Sequence, residues 1–141
     1  MNKLALPLNV IGFQLSWIAC VAGGTLWAIP VCAAFFAWHW QVKKPAEPAL
    51  VAAFAVTGIL FDTALYQAGL LKFPGHSLFV IPVWLMLLWV AFACTLRHSL
   101  DWLLQRPWLA ALLGLLAAPW SYYAGELLGA VNTTPEALLL I

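Results

Sequence analysis

Charge is the scarcest property of this chain. Among 141 residues there are six Lys or Arg and five Asp or Glu, 8% in all. Soluble domains carry about a quarter charged residues. So few charges cannot cover a water-exposed surface, and lipid is the expected solvent. The formal net charge of +1 excludes the basic footprint of a nucleic-acid-binding protein. Cysteine is also sparse. Cys20, Cys32 and Cys94 all lie in apolar stretches and form no Cys-x-x-Cys pair, so they read as small buried hydrophobes rather than a disulfide framework. Also absent are a His-Glu-x-x-His motif, a phosphate loop, and a nucleophile elbow with Ser-His-Asp order. No cofactor motif is present, which argues against an autonomous redox enzyme.

What is abundant is apolar sequence. Hydrophobic residues make up 65% of the chain, and its mean hydropathy is +0.97. No charged residue occurs from Leu4 to Trp40. As a single helix this run would be about 55 Å long, against a hydrocarbon core of about 30 Å. It must fold back, and Gly23-Gly24 is the natural hinge. The same run extends far past a signal-peptide core, which argues against cleavage. The expected fold is all-α: a single polytopic transmembrane bundle with spans near 5–22, 25–42, 49–71, 77–96 and 108–131. Pro30 falls inside the second span, where membrane helices tolerate a kink.

Polar segments separate these spans. Lys43 to Pro48 is the first loop and Lys72 to His76 a short turn. Arg97 to Pro107 is a connector whose Trp102, Leu103 and Leu104 suit a lipid boundary. After the fifth span, Thr134-Pro135-Glu136 reads as a helix start with proline at its first position. Leu138 to Ile141 then suggests a sixth span cut short. Asn132-Thr133-Thr134 fits the glycosylation pattern, which has meaning only in a secretory context.

Basic residues set the orientation. With the N-terminus cytoplasmic, Lys3, Lys43, Lys44, Arg97 and Arg106 fall inside and only Lys72 outside. Trp27, Trp38, Trp40, Trp102 and Trp108 lie near span ends, as an aromatic belt requires. Trp17, Trp84, Trp89 and Trp120 lie deeper and are expected to pack between helices or line a pocket.

Two carboxylates, Asp62 and Glu126, fall inside spans. A charge at the centre of a membrane helix costs about 2.5–3.5 kcal/mol on insertion scales, so such groups face the protein interior or water, or are protonated. Gly58, Asp62, Tyr66 and Gly69 share one face of the third span. Thr63 and Gln67 form an adjacent polar pair. Pro119, Tyr122, Glu126 and Gly129 share a face of the fifth span, and Asn9, Ser16 and Cys20 one of the first. The candidate ligand-binding or proton-handling residues are therefore Asp62, Tyr66, Tyr122, Glu126, Asn9 and Trp84. Asp62 is expected to face the bundle interior, within reach of the first or fifth span. These polar faces are equally able to hold helices together by interhelical hydrogen bonds.

The histidines give no metal site by spacing. His98 and Asp101 are one turn apart and could pair, while His39 and His98 fall on the same side of the membrane and could meet. Neither a metal nor another cofactor is expected.

Three stretches carry a family resemblance: Phe61-Asp62-Thr63-Ala64-Leu65-Tyr66-Gln67-Ala68-Gly69-Leu70-Leu71; Pro82-Val83-Trp84-Leu85-Met86-Leu87-Leu88-Trp89 with Phe92 to Leu96; and Pro119-Trp120-Ser121-Tyr122-Tyr123-Ala124-Gly125-Glu126. Together they resemble a small bacterial inner-membrane family, a domain of unknown function. The resemblance implies six spans, a bacterial plasma-membrane location, and a genetic neighbourhood with fatty-acid-modifying enzymes of the cyclopropane-synthase type. It supplies no catalytic residues. Three functions follow as expectations. One is a non-enzymatic membrane protein that binds or moves a small or lipid-like molecule. Another is an enzyme or enzyme subunit acting on lipid acyl chains. The third is a scaffold for peripheral lipid-modifying enzymes. The partners expected are the bilayer, a possible second copy of the chain, and those enzymes.

Overall fold

A computed structural model describes residues 3–141, which are mostly helical. The first helical element, α1 (Ala5–Val42), is interrupted at Gly24, whose φ of 66° and ψ of −165° are not helical. That backbone region is essentially reserved for glycine. The chain reverses there into two antiparallel arms. Cys20 Sγ lies 3.7 Å from Cys32 Sγ across the hairpin. Nearer its open end, a Cβ added to Gly12 would fall 2.4 Å from the Phe35 ring. Glycine at 12 thus lets the second arm approach. Asn9, Ser16 and Cys20, the polar face of the first arm, all point inward and are fully buried.

The next helix, α2 (Glu47–Gln67), begins after a left-handed Ala46 and carries Pro48 in its first turn. It ends at Gly69, at φ 79°, where Leu70 N–H reaches back to Leu65 C=O at 3.0 Å. This is the glycine-terminated cap that satisfies the last free carbonyls of a helix. A 21-residue helix, Pro107–Leu127, ends the same way. Gly129 has φ 77°, and Ala130 N–H returns to Gly125 C=O at 2.9 Å. The expected third and fifth spans therefore stop as helices about four residues early. Released from their helices, Leu71–Lys72 (β1) and Asn132–Thr133 (β2) pair antiparallel, Leu71 opposite Thr133. This small β-ladder departs from an all-α chain.

Between the two long helices lies α3 (Val83–Ala93), only 11 residues, or about 16 Å at ~1.5 Å per residue. The expected fourth span, 77–96, is therefore not one continuous helix. Proline is the reason at its start: Pro82 is the N-cap of α3, and a proline disfavours helix in the residue before it. After Cys94 the chain continues in turns to Leu100. It then forms α4 (Asp101–Leu104) and α5 (Pro107–Leu127). The terminal α6 (Pro135–Leu140) starts at Thr134, whose hydroxyl accepts from Ala137 N–H at 3.2 Å. Proline occupies its first turn, as the sequence predicts.

Among the described residues, two helices are long and apolar enough to cross a membrane, α1 and α2. Their most apolar windows are only 28% and 22% buried within the protein. The core helix of a soluble domain would be mostly buried, whereas these exposed apolar surfaces suit an apolar solvent. Of the tryptophans expected near span ends, Trp27, Trp40, Trp102 and Trp108 are exposed and Trp38 is half-buried. Trp120 is exposed as well, at 69%, and is not packed between helices.

The interior is built on α3, which packs against both α1 and α2. Cys20, Ala28 and Cys32 meet Trp84, Leu87 and Leu88. Phe35 meets Ala91 and Cys94. A third cluster gathers Leu65, Leu71, Phe73, Ile81, Leu85 and Val131 around the β-ladder. Helix α5 packs closely on α4, β2 and α6, its neighbours in sequence. It meets the longer helices through isolated side chains, such as Ser121 with Trp17 Nε1 at 3.4 Å.

The hairpin yields a direct test. Gly24→Ala meets no neighbour within 4 Å, so its cost is backbone strain of about 1–3 kcal/mol. Gly12→Ala drives a Cβ into the buried Phe35 ring, at an overpacking cost of about 1–3 kcal/mol. Thermal unfolding in detergent should show both losses. Gly114→Ala, which also meets nothing within 4 Å and lies within α5, should be neutral or stabilising.

Candidate functional site

Asp62 lies in α2 and is 0% exposed. Its Oδ2 accepts a hydrogen bond from Trp89 Nε1 on α3 at 2.7 Å and another from the Tyr122 hydroxyl on α5. One carboxylate oxygen thus joins three helices. Both donors are neutral. The other oxygen, Oδ1, is buried without a hydrogen-bond partner, as is the neighbouring Thr63 Oγ1.

Local sequence explains how the indole gets there. Gly58 sits one turn before Asp62 on the same face of α2. A Cβ at Gly58 would lie 2.2 Å from Trp89 Cε3. The missing side chain is the seat of the indole, and from that seat Nε1 reaches the carboxylate. Phe54 and Phe92 flank the same ring, with centroids 6.0 and 6.5 Å away. The surroundings of the carboxyl group are therefore aromatic, with two donors aimed at one oxygen.

The other candidate residues lie apart from this group. Tyr66 packs on Phe73 and His76, with ring centroids at 5.5 and 5.7 Å. Trp84 lies edge-on to Phe73. Glu126 accepts from Thr133 Oγ1 at 3.0 Å, beside the β-ladder. Gln67 Nε2 donates to Phe79 C=O. Asn9 sits near the opposite end of the bundle. Its Nδ2 donates to Cys94 C=O at 3.1 Å, and its Oδ1 accepts from Ser99 Oγ at 2.6 Å and Ser99 N–H at 3.3 Å. Asn9 therefore satisfies the backbone of the turn segment after α3. The structure brings Asp62 and Tyr122 together, adds Trp89, and leaves Tyr66, Glu126, Asn9 and Trp84 elsewhere. Trp89 carries a sequence signal only in hindsight: it is a tryptophan deep in an apolar stretch, with a facing glycine that no spacing rule connects to it.

A second polar cluster lies at the Asn9 end. His39, Glu47 and His98 converge there. The two histidines do meet, with ring centroids 5.0 Å apart. Both face Glu47, at 1% exposure, and His98 turns to it rather than to Asp101. Backbone ties hold the cluster. Lys44 N–H donates to Glu47 Oε2 at 2.6 Å. Lys44 Nζ donates to Arg97 C=O, and Arg97 Nη1 to Pro45 C=O at 2.6 Å. Ala46, immediately before Glu47, is held at φ 62°, a left-handed geometry costing a non-glycine residue about 1–3 kcal/mol. Two open grooves border the bundle. One is apolar and lies between the arms of α1, lined by Leu8, Gly12, Trp27 and Phe35 among others. The other runs beside His39, Lys43, Pro48 and Cys94.

The roles of the two polar groups of residues separate experimentally. Asn9→Ala strips partners from buried backbone and hydroxyl groups, a loss of about 1–3 kcal/mol. Thermal unfolding should register it, with no change in any property that depends on Asp62.

Comparison with curated proteins and with solved structures finds no match to this chain. A family model described as "Protein of unknown function (DUF2878)" matches residues 6–141, nearly the full length. The chain belongs to this family of uncharacterised proteins.

Proposed function

We propose that this is an integral membrane protein that binds or moves a small or lipid-like molecule, with Asp62 as its proton-exchanging group. The observation that carries this reading is the Asp62 carboxyl, fully buried in an apolar helix, with one oxygen held by Trp89 and Tyr122 and the other unpartnered. Ionisable groups inside membrane helices are costly and commonly mark ligand or proton pathways. The open Oδ1 is the atom that takes up a proton or meets a polar headgroup. Tyr122 belongs to α5, the helix tied most loosely to the other long ones, so loss of its hydrogen bond is the natural way to admit a ligand.

The topology that goes with this function has five spans: the two arms of α1, then α2, α3 with its flanking turns, and α5. The N-terminus is cytoplasmic. The location is a bacterial inner membrane. Glu47, His39 and the basic loops then face the cytoplasm, and the β-ladder faces outward. All three cysteines are buried, so membrane-impermeant maleimide reports introduced thiols alone. Gly75→Cys should label in intact cells, and Gln105→Cys only after the inner face is opened. The reverse pattern would overturn the orientation.

The functional test is the lipid profile of a deletion strain. Wild type should restore it. Asp62→Asn should not, although asparagine is nearly isosteric and still offers an acceptor to Trp89 and Tyr122. Full restoration by Asp62→Asn, with protein levels equal, would reduce Asp62 to a structural tie. A lipid profile unchanged by deletion would remove lipid as the molecule handled.

A further inference from the structure

We infer that His39, Glu47 and His98 form a binding site for a divalent transition-metal ion of the zinc class, at the end of the bundle opposite the β-ladder. The site is independent of Asp62 and shares no residue with it.

The donor set is the first argument. Two imidazoles and one carboxylate are among the commonest ligands of zinc, and three protein ligands leave a fourth position for solvent or substrate. The geometry is the second. Three ligand atoms, one from each residue, lie within 4.8 Å of one another. His39 Nε2 is 3.3 Å from Glu47 Oε1, and His98 Nε2 is 3.0 Å from the same oxygen. Donors bound at about 2.0–2.1 Å around a tetrahedral ion are themselves about 3.3 Å apart. The atoms thus stand at nearly the separation that a shared ion imposes.

The third argument is how they approach. Oε1 of Glu47 is buried, yet it has no hydrogen bond, despite two ring nitrogens at close range. The hydrogen bond from the His98 ring goes instead to the other oxygen, with Nε2 3.1 Å from Oε2, and Oε1 is left bare between the two rings. A cation bound by both deprotonated ring nitrogens and Oε1 would satisfy that bare oxygen, to which no protein group hydrogen-bonds. Besides the His98 ring, Oε2 is oriented by Lys44 N–H, an outer contact of the kind that positions metal-binding carboxylates. Nδ1 of His39 has no hydrogen-bond partner, so the tautomer of that ring is set from its Nε2 side.

Three segments converge on the cluster and are tied together by hydrogen bonds. His39 comes from the last turns of α1, Glu47 from the first residue of α2, and His98 from the turns after α3. Lys44 and Arg97 lace the two connectors together, and the backbone strain at Ala46 falls one residue from Glu47. The groove lined by Lys43, Pro48 and Cys94 reaches the cluster on its His39 side. Sequence spacing hides such a site, because its three ligands come from three separate segments.

The test uses full-length protein purified through a tag without histidine, stripped with chelator and titrated with Co²⁺ and then Zn²⁺ alone. Wild type should take up one Co²⁺ per chain with the intense visible bands of tetrahedral cobalt, and Zn²⁺ should displace it. Glu47→Gln and His98→Asn should each weaken binding by more than the roughly 10–100-fold cost of losing an outer-sphere partner. Thermal unfolding of the metal-free proteins establishes that the variants are folded. If a variant does not fold, His39→Gln replaces it. A folded wild type without stoichiometric tetrahedral cobalt overturns the inference, and so does undiminished binding in the folded variants.

Discussion

A carboxyl group buried in apolar surroundings has to find donors, and at Asp62 that requirement organises the bundle. A buried carboxyl group without hydrogen bonds is costly, so it turns to donors inside the bundle. There it draws Trp89 from α3 and Tyr122 from α5 onto one oxygen. The glycine one turn earlier, Gly58, makes room for the indole. The apolar packing around α3 is non-directional and would tolerate several arrangements. The hydrogen bonds to Asp62 select one.

The same logic recurs where the chain leaves its helices. In an apolar medium every free backbone group must be satisfied internally. Helices α2 and α5 both end in glycine-capped turns at Gly69 and Gly129. The segments they release then pair with each other as β1 and β2. Asn9 provides the corresponding service at the other end, holding the Cys94 carbonyl and Ser99. The polar side chains within the apolar chain thus fall into two kinds. Asn9, Glu126 and Gln67 have partners that account for them. Asp62 and the His39–Glu47–His98 group keep buried atoms that protein partners do not satisfy. The second kind is where binding chemistry is proposed.

The two proposed sites share no residue and ask for different ligands. Asp62 is wrapped in aromatic rings and suits a proton or a polar headgroup. The histidine cluster sits beside basic connectors and a groove, and suits a cation. The hydrogen bonds between its connectors set it apart from α5, whose ties to the longer helices are isolated side-chain contacts.

By itself the sequence determined the apolar character of the chain, the reversal in α1, the inward face of Asn9, Ser16 and Cys20, and the start of α6. Each rests on a local property: hydropathy, a glycine-only backbone angle, helical spacing, or a capping residue. It also singled out Asp62, because an isolated carboxylate in an apolar stretch is visible without a fold. Tertiary structure alone decided the rest. It chose Trp89 and Tyr122 as partners of Asp62, shortened the 77–96 segment to Val83–Ala93, paired two strands 61 residues apart, and placed Glu47 between two histidines. These outcomes depend on which residues from distant segments come within a few ångströms of one another. Periodicity and composition describe one segment at a time and carry no information about that proximity.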